Sequence, residues 1–130
     1  SKSTGGLAVS PETLWPRYAA VWSAPAPVRT AELAACLADA ATYCDPNGVI
    51  EGRDALSAYM GGFQESVPQG AAFRIRSVHH HNGRTLAHWA LHGPDEAILQ
   101  RGISFGLVAE DGRFLAITGF FFEAAETMAA

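Results

Sequence analysis

The sequence predicts an α+β fold: three N-terminal helices packed on one face of a curved, mainly antiparallel sheet. Three observations carry this. Apolar residues recur at helical spacing up to Phe63 and alternate with period two from Phe73 onward. Tight-turn sequences such as Asn82-Gly83 and Glu110-Asp111-Gly112-Arg113 divide the second half into strand-length pieces. Helices first and strands after segregate into separate layers, which is the α+β pattern.

Ser10-Pro11-Glu12-Thr13 opens the first helix, with Ser10 as N-cap and Pro11 at the first helical position. Leu14, Trp15, Tyr18, Val21 and Trp22 form its apolar stripe, and Pro16 sits early enough to be tolerated. Ala24-Pro25-Ala26-Pro27 is a stiff break. Thr30 caps a second helix, whose stripe of Leu33, Cys36, Leu37 and Ala40 runs to the tetrapeptide Asp45-Pro46-Asn47-Gly48. A short extra strand is expected near Val49-Ile50. Gly52-Arg53-Asp54 leads into a third helix through Leu56, Tyr59, Met60 and Phe63, stopped by Val67-Pro68-Gln69-Gly70. Four strands follow: from Phe73 to His79, from Thr85 to His92, from Ile98 to Ala109, and from Phe114 to Phe122.

The chain has 130 residues, one domain's worth, and its 48% hydrophobic content suits a packed core. Residues 10–123 read as that domain, 1–9 as a flexible leader and 124–130 as a tail. A net charge of −4, with Lys2 the only lysine, argues against a nucleic-acid partner. No apolar stretch reaches the roughly 18 residues a membrane span needs, and the start lacks the apolar core of a signal peptide. Cys36 and Cys44 read as reduced, buried thiols, which points to a cytoplasmic protein.

Asp45-Pro46-Asn47-Gly48 carries the chemical signal. Pro46 drives Asp45 out of the α region, and Asn47-Gly48 closes a turn. A carboxylate held there against Tyr43 and apolar walls can serve as a general base. The alternative is an Asx turn that only ends a helix.

Several stretches carry a resemblance. They are Arg17-Tyr18, the run from Ala38 to Gly48, the run from Glu51 to Leu56, and the run from Glu110 to Phe121. On these, from about residue 11 to 123, the chain resembles the nuclear-transport-factor-2-like superfamily, in its ketosteroid isomerase and SnoaL-like polyketide cyclase branch. The resemblance implies a cone-shaped fold in which a strongly bent sheet wraps a helix-lined pocket. It also implies a homodimer through the outer sheet face. It matches Asp45 to the general base of the isomerases and Tyr18 to the tyrosine that donates to the enolate oxygen. Fixed donors are needed there because charge gathers on that oxygen in the transition state. Ser104 stands where the isomerases carry a second, protonated acid on the long strand. That departure speaks against steroid isomerisation itself and leaves proton abstraction, aldol-type cyclisation or elimination open. Strand parity and the family pattern then place Trp89, Leu91, Gln100, Gly102, Ile117 and Phe121 inward, beside Tyr43 and Tyr59. The ligand implied is a small hydrophobic molecule, with no metal or organic cofactor. The rival is a non-catalytic binding or interaction module on the same fold.

Tyr43-x-Asp45 is also similar to the tyrosine and amide pair of limonene epoxide hydrolases, but their strand aspartates have no counterpart beside Arg101. Tyr18 equally suits a plain core position, and Trp15 and Trp22 read as core. Gly102, Gly106 and Gly119 fit either sheet bends or room for a ligand. His79 and His81 should share one strand face and His80 the other, with His88 and His92 on the outer face. Half-exposed polar positions and a metal site with a third ligand are both open for them, as is an inward histidine acting as a second acid or base.

Overall fold

The structure, a computed structural model, describes residues 10–122. The expected leader and tail lie outside the described residues. The elements run α1 (Pro11–Val21), α2 (Ala26–Cys36), β1 (Leu37–Asp45), β2 (Gly48–Glu51), α3 (Arg53–Ser66), β3 (Ala72–His81), β4 (Arg84–His92), β5 (Ile98–Val108) and β6 (Phe114–Phe122). The strands form one six-stranded sheet in the order β2-β1-β6-β5-β4-β3. Every pairing is antiparallel except β1 with β6. Three helices against a mostly antiparallel sheet is the predicted α+β architecture.

Ser10 takes extended geometry before α1, and its carbonyl accepts from the backbone N–H groups of Thr13 and Leu14. Leu14, Trp15, Tyr18 and Val21 bury the stripe as predicted, and the helix passes through Pro16. Trp15 is the anchor. Its indole donates to Thr85 Oγ1 at 2.8 Å, Thr85 donates on to the His79 carbonyl at 2.9 Å, and its ring lies 4.6 Å from Phe114.

The second helix departs from expectation at both ends. It begins at Ala26, not Thr30, because proline is at home in a first helical turn and the break closes after Pro25. Thr30 lies inside and donates back to the Ala26 carbonyl at 3.2 Å. The helix ends at Cys36, where Leu37 turns extended (φ −120°, ψ 141°). Leu37 to Asp45, read as helix, is a strand. Ala41, Tyr43 and Asp45 are buried while Thr42 and Cys44 are half-buried, which is period two. An alanine-rich run carries little period of its own, and pairing with β6 and β2 decides it.

The tetrapeptide is accordingly a hairpin turn, not a helix stop. Asp45 pairs with Gly48, leaving Pro46 and Asn47 as a two-residue loop into the extra strand β2. Gly48 has φ +146°, a conformation that side chains rarely adopt. The turn between β3 and β4 sits at Asn82-Gly83 as predicted, both with positive φ.

Irregularities at Ile75/Ser77, Leu91/His92 and Leu107/Val108 interrupt the register of the long strands, as bulges that bend a sheet do. Cys36 is fully buried, and burial pushes its thiol up to about 11, while Cys44 is half-buried. Among the described residues no helix is long and apolar enough to cross a membrane.

Candidate functional site

Strand β1 delivers Asp45 to the inner face of the sheet at its hairpin end, where the residue is only 7% exposed. Three donors hold the carboxylate. Tyr43 and Tyr59 each donate a hydroxyl to Oδ2 at 2.7 Å, and the Asn47 backbone N–H donates to Oδ1 at 2.8 Å. Tyr43 reaches it from the same strand, two residues back and therefore on the same face. Tyr59 reaches it from α3 and itself accepts from the Asn47 side chain at 3.2 Å. A carboxylate offers about four acceptor positions, so one stays open.

Asp45 lines a cavity of about 660 Å3, within the range of small-molecule sites. α1 supplies Trp15, Tyr18 and Ala19, with Trp22 just beyond it. α3 supplies Tyr59 and Phe63, and the strands supply the floor. Trp22 is the hub of the wall, with Tyr18, Tyr43, Tyr59, Phe63 and Phe73 at ring-centroid distances of 5.3–6.5 Å. Asp45 is the one charged side chain among the described lining residues.

Tyr18 lines this cavity with a buried hydroxyl that has no hydrogen-bond partner among the described residues. Burial raises the Tyr18 phenol above its ordinary range, so the group stays protonated as a donor. Burial likewise raises Tyr43 and Tyr59, with the bond to Asp45 acting in the same direction. Ser104, on β5, accepts from the Trp89 indole at 3.0 Å, which leaves its own hydroxyl proton free to donate.

Between Asp45 and Ser104 lies Gly119. Ser104 pairs with Gly119 across β5 and β6, and a Cβ at Gly119 would sit 3.5 Å from Ser104 Oγ and 3.9 Å from Asp45 Cβ. The three stand in a row on adjoining strands, and the middle member has no side chain. Gly119 opens on the cavity. Gly102 and Gly106 serve close packing instead. The Trp89 ring and the Phe120 carbonyl occupy the place of a Cβ at Gly102, and Phe114 Cε1 lies 2.7 Å from one at Gly106.

Of the predicted residues, the cavity brings together Asp45, Tyr18, Ser104, Tyr43, Tyr59, Trp89, Leu91, Gln100 and Phe121. Gln100 is tied to backbone, donating to the Arg101 and Phe122 carbonyls. Two predicted residues do not line it. Gly102 lies beneath the Trp89 indole, and Ile117 is 1% exposed within the core. Residues that sequence reasoning left out include Asn47, Phe63, Phe73 and Leu99, while Trp15 and Trp22 serve both core and cavity wall. Phe63 follows Tyr59 by one helical turn, a spacing that could have found it.

No histidine lines the cavity among the described residues. His80 is paired with Glu12 at 3.0 Å, His81 with Asn82, and His92 with the Glu96 carbonyl, while His79 and His88 stand 6.3 Å apart. None is therefore an inward acid or base. No cluster of three metal-ligating side chains occurs among the described residues.

A family model described as a SnoaL-like domain matches residues 16–117. Nothing among the curated proteins matches the chain. Among solved structures, a candidate isomerase of the SnoaL-like family from Agrobacterium tumefaciens superposes with a TM-score of 0.79 at 23% identity, covering 85% of this chain and 96% of that one. A Catenulispora acidiphila protein with a ketosteroid isomerase-like fold, in complex with trimethylamine, gives 0.67 at 14% identity over 85% of each chain. A candidate polyketide cyclase from Sinorhizobium meliloti gives 0.65 at 12% identity, over 82% of this chain and 93% of that one. At these identities the likeness is one of fold.

Proposed function

The chain belongs to the SnoaL-like domain family, and on that footing we propose that it is a small acid–base enzyme of the isomerase or cyclase type. Its ligand is a small hydrophobic molecule carrying a carbonyl group, and its own side chains supply the chemistry. Asp45 removes a proton from the carbon next to the carbonyl. The carbonyl oxygen becomes an enolate oxygen, which accepts from the Tyr18 hydroxyl, with Ser104 as second donor. The proton on Asp45 then returns to a different carbon, or the enolate carbon adds to a second carbonyl carbon of the same ligand, whose C=O π bond opens to an alkoxide that takes the proton back from Asp45.

The observation that carries this reading is the row Asp45-Gly119-Ser104, open in its middle, beneath an apolar cavity that also holds the Tyr18 hydroxyl, which has no partner among the described residues. Fixed hydrogen-bond donors act most strongly where water is excluded. Solvent-deuterium exchange at the α-carbon of hydrophobic ketones, followed by proton NMR, tests it. The wild type should accelerate exchange, Asp45→Asn should lose about 10²–10⁴-fold of that acceleration, and Tyr18→Phe about 10²–10³-fold. An Asp45→Asn variant as active as the wild type would sink the mechanism.

One observation favours the non-catalytic alternative. With Tyr43, Tyr59 and the Asn47 N–H all on its carboxylate, Asp45 is also well placed simply to hold the β1–β2 turn. Ligand binding without any exchange in the same experiment selects that reading. In either case we propose a homodimer through the outer sheet face, where Phe105 and Phe120 are exposed, and a cytoplasmic setting.

A further inference from the structure

The charge of the cavity is one-sided. Nine of its lining residues are aromatic, including all three tryptophans and all three tyrosines of the chain. No arginine, lysine or histidine is among the described lining residues, and the one charged side chain is Asp45. The faces of aromatic rings carry negative potential and their edges positive, so a ring face that meets the ligand shares the sign of Asp45. An anionic ligand would meet repulsion from Asp45 with no basic group to offset it. A neutral ligand gains only from burial. An organic cation gains from burial, from the ring faces and from the carboxylate together.

The hydrogen bonds on Asp45 refine the class. Three of about four acceptor positions are occupied by Tyr43, Tyr59 and the Asn47 N–H. These bonds spread the charge without removing it. A primary ammonium brings three N–H donors and would find one open position on the carboxylate. A fully alkylated nitrogen needs no acceptor, is weakly hydrated, and suits ring faces.

We propose that this cavity is a site for an organic cation: an apolar ligand bearing a tertiary or quaternary ammonium, held by Asp45 as counter-charge and by the aromatic wall around Trp22. The inference goes beyond the proton-transfer reading and does not rest on it. Asp45 attracts a cation whether or not it also moves a proton, and a carbonyl compound can carry such a group.

The three tryptophans all line the cavity, so intrinsic fluorescence of the intact protein reports its occupancy. Three probes of similar size separate charge from shape: phenyltrimethylammonium, its uncharged isostere tert-butylbenzene, and benzoate. The cation should bind at least about tenfold more tightly than tert-butylbenzene, and benzoate weakest of the three. In Asp45→Asn the preference for the cation should collapse, with tert-butylbenzene affinity nearly unchanged. Added salt should weaken the cation alone, a measurement on the wild type that stands even if the variant folds poorly. Equal affinity for the two isosteres overturns the proposal, as does a cation preference that survives in folded Asp45→Asn. So does failure of phenyltrimethylammonium to bind at millimolar concentration. The readout is binding without turnover, so a protein that shows no α-proton exchange can still pass this test, and the reverse.

Discussion

Gly119 separates ligand room from packing at single-residue resolution. A methyl group there makes ordinary contacts, 3.5 Å from Ser104 Oγ and 3.9 Å from Asp45 Cβ and the Cys44 carbonyl. The strand therefore accepts it, and alanine also lowers the entropy of the unfolded chain. That methyl fills the gap between the carboxylate and the serine. Gly119→Ala should keep stability within about 1 kcal/mol of wild type while weakening ligand binding or turnover. Gly102→Ala is the opposite case, because the Trp89 ring and the Phe120 carbonyl already occupy the space. Overpacking there should cost about 1–3 kcal/mol or more. Urea unfolding of both variants, with ligand titration of Gly119→Ala, checks the pair. A destabilised Gly119→Ala, or one with unaltered binding and turnover, removes the glycine from the site.

At the scale of elements, the sequence spoke clearly where hydrophobic period and turn chemistry agreed. The three-helix start, the Asn82-Gly83 hairpin and the strands through Phe122 were legible because each has a period and a punctuation mark. The stretch from Leu37 to Asp45 was not. Alanines at positions 38, 40 and 41 fit helix or strand, and the choice rests on pairing of Tyr43 with distant Ile117 and, across the hairpin, with Ile50. The misreading mattered less for the site than for the fold, because Asp-Pro-Asn-Gly makes a sharp turn after either element. The donors on Asp45 were hidden for the same reason. Tyr43 shares a face with Asp45 only on a strand, and Tyr59 arrives from a helix whose placement no local pattern reveals. Strand parity found most of the floor, but it put Gly102 and Ile117 on the right face without showing that Trp89 and the core cover them.

For the molecule as a whole, the buried phenols couple stability to alkaline pH, and the outer sheet face is where the proposed dimer is tested. Burial raises Tyr18 and Tyr43 in the folded state. Below the unfolded value of about 10 both states keep their protons and the contribution is complete. Above it the unfolded chain loses protons that the folded chain retains, so stability falls, by about 1.4 kcal/mol per pH unit for each such tyrosine. Urea unfolding between pH 8 and 11 should show the decline, and Tyr43→Phe should remove one tyrosine's share. A flat profile contradicts the assignment. The proposed dimer is argued from how the layers are arranged. The helices and the cavity occupy one face of the sheet, and the strand residues of opposite parity form the other. There Phe120 is 56% and Phe105 37% exposed, and Ile103 stands across from Phe120 in the β5–β6 ladder. An apolar patch of this kind on a sheet suits a self-complementary contact with a second copy. Sedimentation equilibrium at micromolar concentration should return twice the 13.8 kDa chain mass. Phe120→Glu should shift it to the monomer by burying a charge against its own symmetry mate. Phe120 is not among the cavity-lining residues, so the variant should still bind a cavity ligand, which separates loss of the interface from loss of the fold. A monomeric wild type under these conditions overturns the dimer.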